Sequence, residues 1–367
     1  MLKLSHSQIN KYSKCARSYK HHYVDKLREN SVTSFLPFGS AIDATLNEIL
    51  LDYKNNKTIT IDYKSIFIKQ WLTPFLNKVT TYLPDNIQVG YPESDLCLEI
   101  LDKDDVLKLK LKQESLCPDY NGLSLSIIAD DLRQQIKQKN YKPFNKNNHM
   151  LLNNIYWYCM KQKGLLMLDA YIKNIIPQIE DIIEIQAKID LDNEKGNTVV
   201  GFIDCILKFK GIDGNVIVDN KTSASPYDED RVRHSSQLAL YCFSKGINKA
   251  AFAVMQKNIK LNKIKECQSC GYKTNTSHTT CNNEIKGKRC KGDWNETYNP
   301  EAITQLIIGE IPTQVQDMVI NNFSEVEKAI ESNIFPQNFD ACQNYYGQRC
   351  TYYKLCWEGK KDGLIQE

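Results

Sequence analysis

The chain has 367 residues, 42% of them apolar and 25% charged, with a formal net charge of +3. This length is enough for two or three cores of ~100–200 residues, and the composition excludes a chain disordered throughout. A balance so near neutral means that any phosphate-binding face must be local. No apolar run reaches the ~18–20 residues of a membrane span, and Met1-Leu2-Lys3-Leu4-Ser5-His6 lacks a signal peptide's apolar stretch, so a soluble, intracellular protein without a membrane partner is expected.

Ser5-x-x-Gln8 has the form of a capping box, and Ile9, Tyr12, Ala16, Tyr19 and Tyr23 recur at helical spacing, which predicts a helix over 6–24. Residues 1–30 hold seven Lys/Arg against two acids, a face that could meet phosphate or simply be solvated. Phe38-Gly39-Ser40-Ala41-Ile42-Asp43 leads into a second amphipathic helix through Leu50. Residues 59–180 read as an α-helical insertion after an N-terminal helical unit, 1–58. From about 181 the period changes to that of strands: 182–189, 198–209 and 216–219, with Asp213-Gly214 suited to a tight hairpin between the last two. Residues 228–245 return to a helical pattern and 250–255 read as a fourth strand, which makes 181–260 an α/β core.

Within that core Asp219 and Lys221 stand two apart and so share one strand face, while Asn220 points away. Asp204, across the hairpin, can bring a second carboxylate, and two converging carboxylates suit Mg²⁺ or Mn²⁺. A plain ion pair between strands would explain the Asp-x-Lys pattern equally well. Gln237 and Tyr241, four apart, share one face of the next helix. Glu184 is a weaker acidic candidate.

Thirteen cysteines, odd in number and partly clustered, argue for metal rather than a secreted disulfide framework. Cys97, Cys117, Cys159, Cys205 and Cys242 stand among apolar residues and read as buried packing. Cys267-x-x-Cys270-Gly271, followed by Cys281 and Cys290, supplies four thiolates for one tetrahedral zinc ion, with His278 a substitute for Cys281. The segment 261–296 is therefore expected to be a zinc ribbon. Residues 257–293 hold nine Lys/Arg against three acids, so the ribbon could also grip DNA backbone. The remainder, 297–367, is expected to hold C-terminal helices and further cysteines.

Four segments in order carry a resemblance: Gly201-Phe202-Ile203-Asp204, Ile217-Val218-Asp219-Asn220-Lys221-Thr222, Gln237-x-x-x-Tyr241, and the opening Ser5 to Tyr23 with Phe38-Gly39-Ser40-Ala41-Ile42. Together they resemble the RecB-type, AddB-like branch of the PD-(D/E)XK nuclease superfamily, to which CRISPR adaptation nucleases also belong. The resemblance implies a restriction-endonuclease-like α/β fold and a Mg²⁺- or Mn²⁺-dependent deoxyribonuclease, an exonuclease of recombination, repair or replication. It implies Asp204 and Asp219 as metal ligands, Lys221 placing the attacking water, and Gln237 and Tyr241 orienting the lysine or touching DNA. Asp43 stands where that branch carries a histidine ligand; aspartate also binds hard cations, yet the change leaves open a silent DNA-binding or scaffold subunit. An RNA-acting ribbon protein is a third reading.

Cys350-x5-Cys356 resembles the tail of relatives that hold a 4Fe–4S cluster together with one N-terminal cysteine. Their third C-terminal cysteine corresponds to Gly347 here, and Cys342 stands in for it, giving Cys15, Cys342, Cys350 and Cys356; the alternative is that these thiols merely pack. A helicase or recombination protein on another chain is the expected partner, since the sequence has no Gly-x-x-x-x-Gly-Lys-Ser/Thr phosphate loop. The Lys-, Asn- and Ile-heavy composition suggests an AT-rich phage or mobile element.

Overall fold

A computed structural model describes residues 2–29, 35–74, 163–192, 198–275, 278–343 and 349–366. Strand β1 (Lys3–Leu4) enters helix α1 (His6–Lys14) through the expected capping box. Gln8 N–H donates to Ser5 Oγ at 3.3 Å, and Ser5 N–H donates to Gln8 Oε1 at 2.6 Å. The helix predicted over 6–24 is not continuous. Cys15 is extended (φ −162°), α2 (Ala16–Tyr19) restarts behind it, and a π-turn follows over Lys20–Val24. The break has a tertiary cause: Arg17 N–H, which an unbroken helix would bond internally, donates to Pro336 O at 3.0 Å. Strand β2 (Leu27–Glu29) follows. Helix α3 (Phe35–Asn56) runs beyond the predicted Leu50, and α4 (Tyr63–Pro74) packs against it.

A helix over 163–174, here α5, precedes the strands. Strands β3 (Ile179–Asp192), β4 (Thr198–Phe209) and β5 (Val216–Ser223) form the expected antiparallel meander. The β4–β5 connection spans six residues rather than a two-residue hairpin, with positive φ at both Gly211 and Gly214. Two helices, α6 (Glu229–Arg233) and α7 (Ser236–Lys245), then cross over to β6 (Lys249–Cys267), which runs parallel to β5. Residues 297–310, expected among C-terminal helices, are instead the inner part of strand β10 (Trp294–Glu310), antiparallel to β6. Their short apolar run is ambiguous by period, and pairing with β6 decides it. The same pairing carries β6 twelve residues past the predicted end at 255. Between these long strands lie β7 (Lys273–Thr274), β8 (Glu284–Ile285) and β9 (Lys288–Arg289).

The mixed sheet is covered on both faces. Val216, Val218, Cys205 and Leu207 face a core with Phe38, Ile42 and Leu46 of α3, Phe67 and Trp71 of α4, and Leu168 and Tyr171 of α5. Ile217, Ile206 and Ile203 face a second core with Ile9 of α1, Leu238 and Tyr241 of α7, and Phe323 of α8 (Thr313–Glu331). Phe38 meets Phe67 and Trp71 edge-on, all three fully buried, and truncating one to Ala costs about 3–5 kcal/mol. The flanks of the expected insertion thus build the same core as α3; residues 75–162 of it, with Cys97, Cys117 and Cys159, lie outside the described residues. Cys205 and Cys242 are fully buried.

The chain's ends meet. Helix α9 (Tyr353–Glu358) precedes β11 (Leu364–Gln366), which pairs with β2, while Tyr352 Oη donates to Leu27 O and Asn338 Nδ2 to Lys14 O, both at 2.9 Å.

Candidate active and metal centres

The first site lies where the sheet forks. The β4–β5 ladder ends at Cys205↔Val218, and the rest of the same edge of β4 pairs with β1 instead, at Thr198 and Val199. The next residues on the two parting strands are Asp204 and Asp219. With its ladder partner gone, the Asn220 N–H donates to Asp204 Oδ2 at 2.7 Å. Along β5 the residues Val216 to Asp219 are buried and those from Asn220 onward are partly exposed, so Asp219 is the last buried residue before the strand emerges. Asp219 is 1% exposed, and its Oδ2 lies 2.5 Å from Lys221 Nζ, an ion pair rather than a well-aligned hydrogen bond.

Helix α7 supplies the wall on that face. Lys221 Nζ donates to Gln237 Oε1 at 3.3 Å, and Gln237 Nε2 donates to Tyr241 Oη at 2.8 Å. Tyr241 thereby fixes which end of the amide faces the lysine. The sheet's opposite face brings Asp43 from α3, close enough that its charge acts on Asp204 and that Asp219 acts on it. Asp43 Oδ1 is buried with no hydrogen-bond partner among the described residues.

The electrostatics are those of carboxylates crowded in a buried pocket. Burial, then the charges of Asp219 and Asp43, push the Asp204 carboxyl up to about 8. Burial and then Asp219 raise Asp43, and burial raises Asp219 against the pull of Lys221. For Lys221 burial opposes the charge, but Asp219 outweighs it, so the ammonium is raised and stays protonated at neutral pH. Like charges crowded in low dielectric shift in this way, and a bound divalent ion would relieve it. The residues therefore fit a hard cation: carboxylate oxygens, one of them buried and unbonded. As placed, they approach without closing a cage. Among the described residues, the group of three or more acidic, histidine or cysteine ligands whose atoms all lie within 4.8 Å is the cysteine quartet described below.

Sequence reasoning passed over His6. From the first turn of α1, its Nε2 lies 3.0 Å from Ser236 Oγ, and burial followed by Lys221 and Lys14 lowers its pKa to about 4. A histidine opening a capped helix was the signal available, but only folding sets it beside β5. Glu184 is not in the pocket; it pairs with Lys245 at 3.2 Å, with its side chain 46% exposed.

The second site is at the far end of β6 and β10. Cys267 Sγ lies 3.5 Å from Cys290 Sγ and Cys270 Sγ 3.7 Å from Cys281 Sγ, and all four sulfurs lie within 4.8 Å of one another. A tetrahedron of thiolates at ~2.3 Å from one zinc ion sets sulfurs ~3.8 Å apart, so the quartet fits a single ion. Gly271, at φ +68°, makes the turn that lets Cys267 and Cys270 face inward, and its N–H donates to Cys267 O at 2.8 Å. Burial opposes thiolate formation at Cys267, but the N–H groups of Ser269 and Cys270 and the neighbouring thiols bring it down to about 7; burial pushes Cys281 up to about 12. His278 is outside the quartet, where its carbonyl accepts from Lys265 Nζ at 2.8 Å.

A third group gathers where the chain's ends meet. Cys15 sits at the break between α1 and α2, Cys342 closes a 3₁₀ turn, and Cys356 lies on α9. Cys350 N–H donates to Cys342 O at 2.8 Å. Burial and then Cys15 and Cys342 raise the Cys350 thiol, and burial and then Cys350, Cys15 and Cys342 raise Cys356. Cys356 Sγ also lies 3.6 Å from His21 Nε2. These sulfurs are more widely set than the zinc-like quartet. Gly347 lies outside the described residues.

No curated protein matches the chain. The helix, antiparallel meander, crossover helix and parallel strand are consistent with a restriction-endonuclease-like fold, and none of the described helices is long and apolar enough to cross a membrane. The family comparison covers α1 to α4 and Asp43 but stops short of Asp204, Asp219 and Lys221: residues 3–71 match the model of the PD-(D/E)XK nuclease superfamily.

Proposed function

We propose that the protein is a Mg²⁺- or Mn²⁺-dependent deoxyribonuclease. The observation that carries this reading is the fork, where Asp204 and Asp219 part from one ladder beside Lys221 while Asp43 adds a third carboxylate. Asp43, Asp204 and Asp219 would hold the cation, which when bound supplies Lewis acidity to a phosphodiester.

The rest of the work falls to the chain's own groups. Lys221, protonated and pinned between Asp219 and Gln237, donates to the attacking water or a phosphate oxygen; being charged, it orients rather than deprotonates. Tyr241 holds Gln237, and Gln237 holds the lysine. His6, kept neutral, can accept or donate one hydrogen bond near the same ammonium without adding to its charge.

The finer reading is an intracellular exonuclease of DNA recombination, repair or replication, of phage or mobile-element type and served by a helicase on another chain. It rests on the resemblance of the ordered motifs. Cys267, Cys270, Cys281 and Cys290 would carry structural Zn²⁺, and Cys15, Cys342, Cys350 and Cys356 a 4Fe–4S cluster tying the two ends of the chain together.

A second reading, a catalytically silent DNA-binding or scaffold subunit, is favoured by Asp43 in place of the family's histidine. One assay separates them: end-labelled linear and circular DNA incubated with Mg²⁺, Mn²⁺ or EDTA. Mononucleotide release from linear DNA alone supports the exonuclease, nicking of circles supports an endonuclease, and DNA binding without cleavage in any metal supports the silent subunit.

A further inference from the structure

We infer that the β6–β10 arm is a track for the phosphate backbone of a DNA duplex running outward from the fork; this rests on the nuclease reading and adds where the substrate lies. Strand β5 accompanies β6 only as far as Ser223↔Gln256, whereas β6 continues, paired with β10, to Cys267↔Trp294. The stretch from Gln256 to Cys267, beyond β5, spans at most roughly 36 Å at ~3.3 Å per residue, starts at a β-bulge and is joined near its end by β7. Its direction follows from the register. Strands β5 and β6 are parallel and Lys221 is level with Val254, so the arm leaves the sheet from the strand ends that carry the fork.

The positive charge is spread along β6 and continues to the arm's tip. Residues 257–293 net +6, and Glu296 and Glu301 of β10 bring the arm as a whole, 257–302, to +4 in a chain that nets +3. At the tip Lys286, Lys288, Arg289 and Lys291 are exposed, and none has an ion pair among the described residues. Lys286 takes a left-handed backbone (φ +51°) in the turn between β8 and β9, which carries its side chain at the hairpin's outermost point. By contrast, Lys273 is spent on Glu266 at 3.3 Å. Cys281 and Cys290 of the quartet flank this hairpin, so a metal bound there would anchor it.

A cationic tip set well beyond the fork suits a partner of regular negative charge: from Val254, level with Lys221, to Cys267 is roughly 43 Å if fully extended at ~3.3 Å per residue. Duplex DNA advances ~3.4 Å per base pair, so that length is roughly 12–13 base pairs, a little over one helical turn. A protein partner would have to supply a matching acidic face, whereas DNA presents one at every turn. Arms of this kind give affinity without reading sequence, because phosphates carry no base information.

The test compares binding of a 30-base-pair duplex and a 6-base-pair hairpin without Mg²⁺ or Mn²⁺, for wild type and for K286Q/K288Q/R289Q/K291Q. Zinc content serves as the folding check. Each lost phosphate contact lowers the slope of log K against log salt by about 0.9, so the quadruple variant should lose up to about 3.6 on the long duplex and nothing on the hairpin. Should it lose its zinc, the four single variants carry the test, each expected to lose about 0.9 at most. Unchanged slope and affinity on the long duplex, or an equal loss on the hairpin, overturns the inference. Wild type that cuts DNA with an indifferent tip overturns only the track; wild type that neither binds nor cuts DNA overturns the nuclease reading with it.

Discussion

Asp204→Asn keeps the shape of the side chain and an oxygen to accept from Asn220 N–H, but can never ionise. The wild-type carboxyl titrates at about 8 against 3.8 in the unfolded chain, through burial first and then Asp219 and Asp43. At pH 7 folding must therefore keep it protonated across about three pH units, a penalty on the order of 4 kcal/mol at ~1.4 kcal/mol per unit. A group whose folded value is raised contributes fully below the unfolded value and loses that contribution as pH rises to the folded one. The window here is pH 4 to 8. Without added Mg²⁺ or Mn²⁺ the variant should thus melt higher than wild type, by about 2–4 °C per kcal/mol relieved, with a gap that is small at pH 5 and widest at pH 8. Adding Mn²⁺ should narrow the gap, since a ligand at 100 times its Kd stabilises wild type by about 2.7 kcal/mol and the variant has lost one of its holders. Thermal melts at pH 5 and pH 8, with and without Mn²⁺, decide the matter. A variant less stable than wild type at pH 8 without metal, or a gap unchanged between the two pH values, would refute the argument that these carboxylates are held in mutual repulsion.

Lys221→Ala should cut Mg²⁺-dependent DNA cleavage by at least about 100-fold while leaving the circular dichroism spectrum unchanged, because the charged donor beside Asp219 is lost; wild-type turnover in that variant removes its role. Tyr241→Phe keeps the ring in its core but frees Gln237, so cleavage should drop only about 2–10-fold, the worth of one hydrogen bond; a loss as deep as that of Lys221→Ala would mean that Tyr241 touches substrate itself. Metal analysis of the native protein should find one zinc per chain, and Cys281→Ser should lose it with its iron unchanged. In the reciprocal variant, Cys350→Ser, the visible iron–sulfur absorbance of an anaerobic preparation should disappear and the zinc remain; a colourless, iron-free wild type would leave those thiols as packing.

Local chemistry alone was enough to predict the elements that carry the site. The Ser5/Gln8 capping box, the period-two run through Asp219 and Lys221, and the four-residue spacing of Gln237 and Tyr241 are properties of neighbours in the chain, and each reappears in the fold. The cysteine quartet was legible too, because its polar, Lys-rich surroundings leave its four thiols no apolar core to join. What sequence could not supply is where strands stop pairing. The fork exists because the β4–β5 ladder stops at Cys205↔Val218 while β4 runs on to pair with β1 at Thr198 and Val199, and Asp204 and Asp219 become candidate site residues only by standing at that parting. The break at Cys15, the reach of β6 beyond residue 255 and the strand over 294–310 all follow from hydrogen bonds to segments distant in the chain. Periodicity reports which face of a segment is apolar, whereas the partner that satisfies its backbone is chosen by the packed whole.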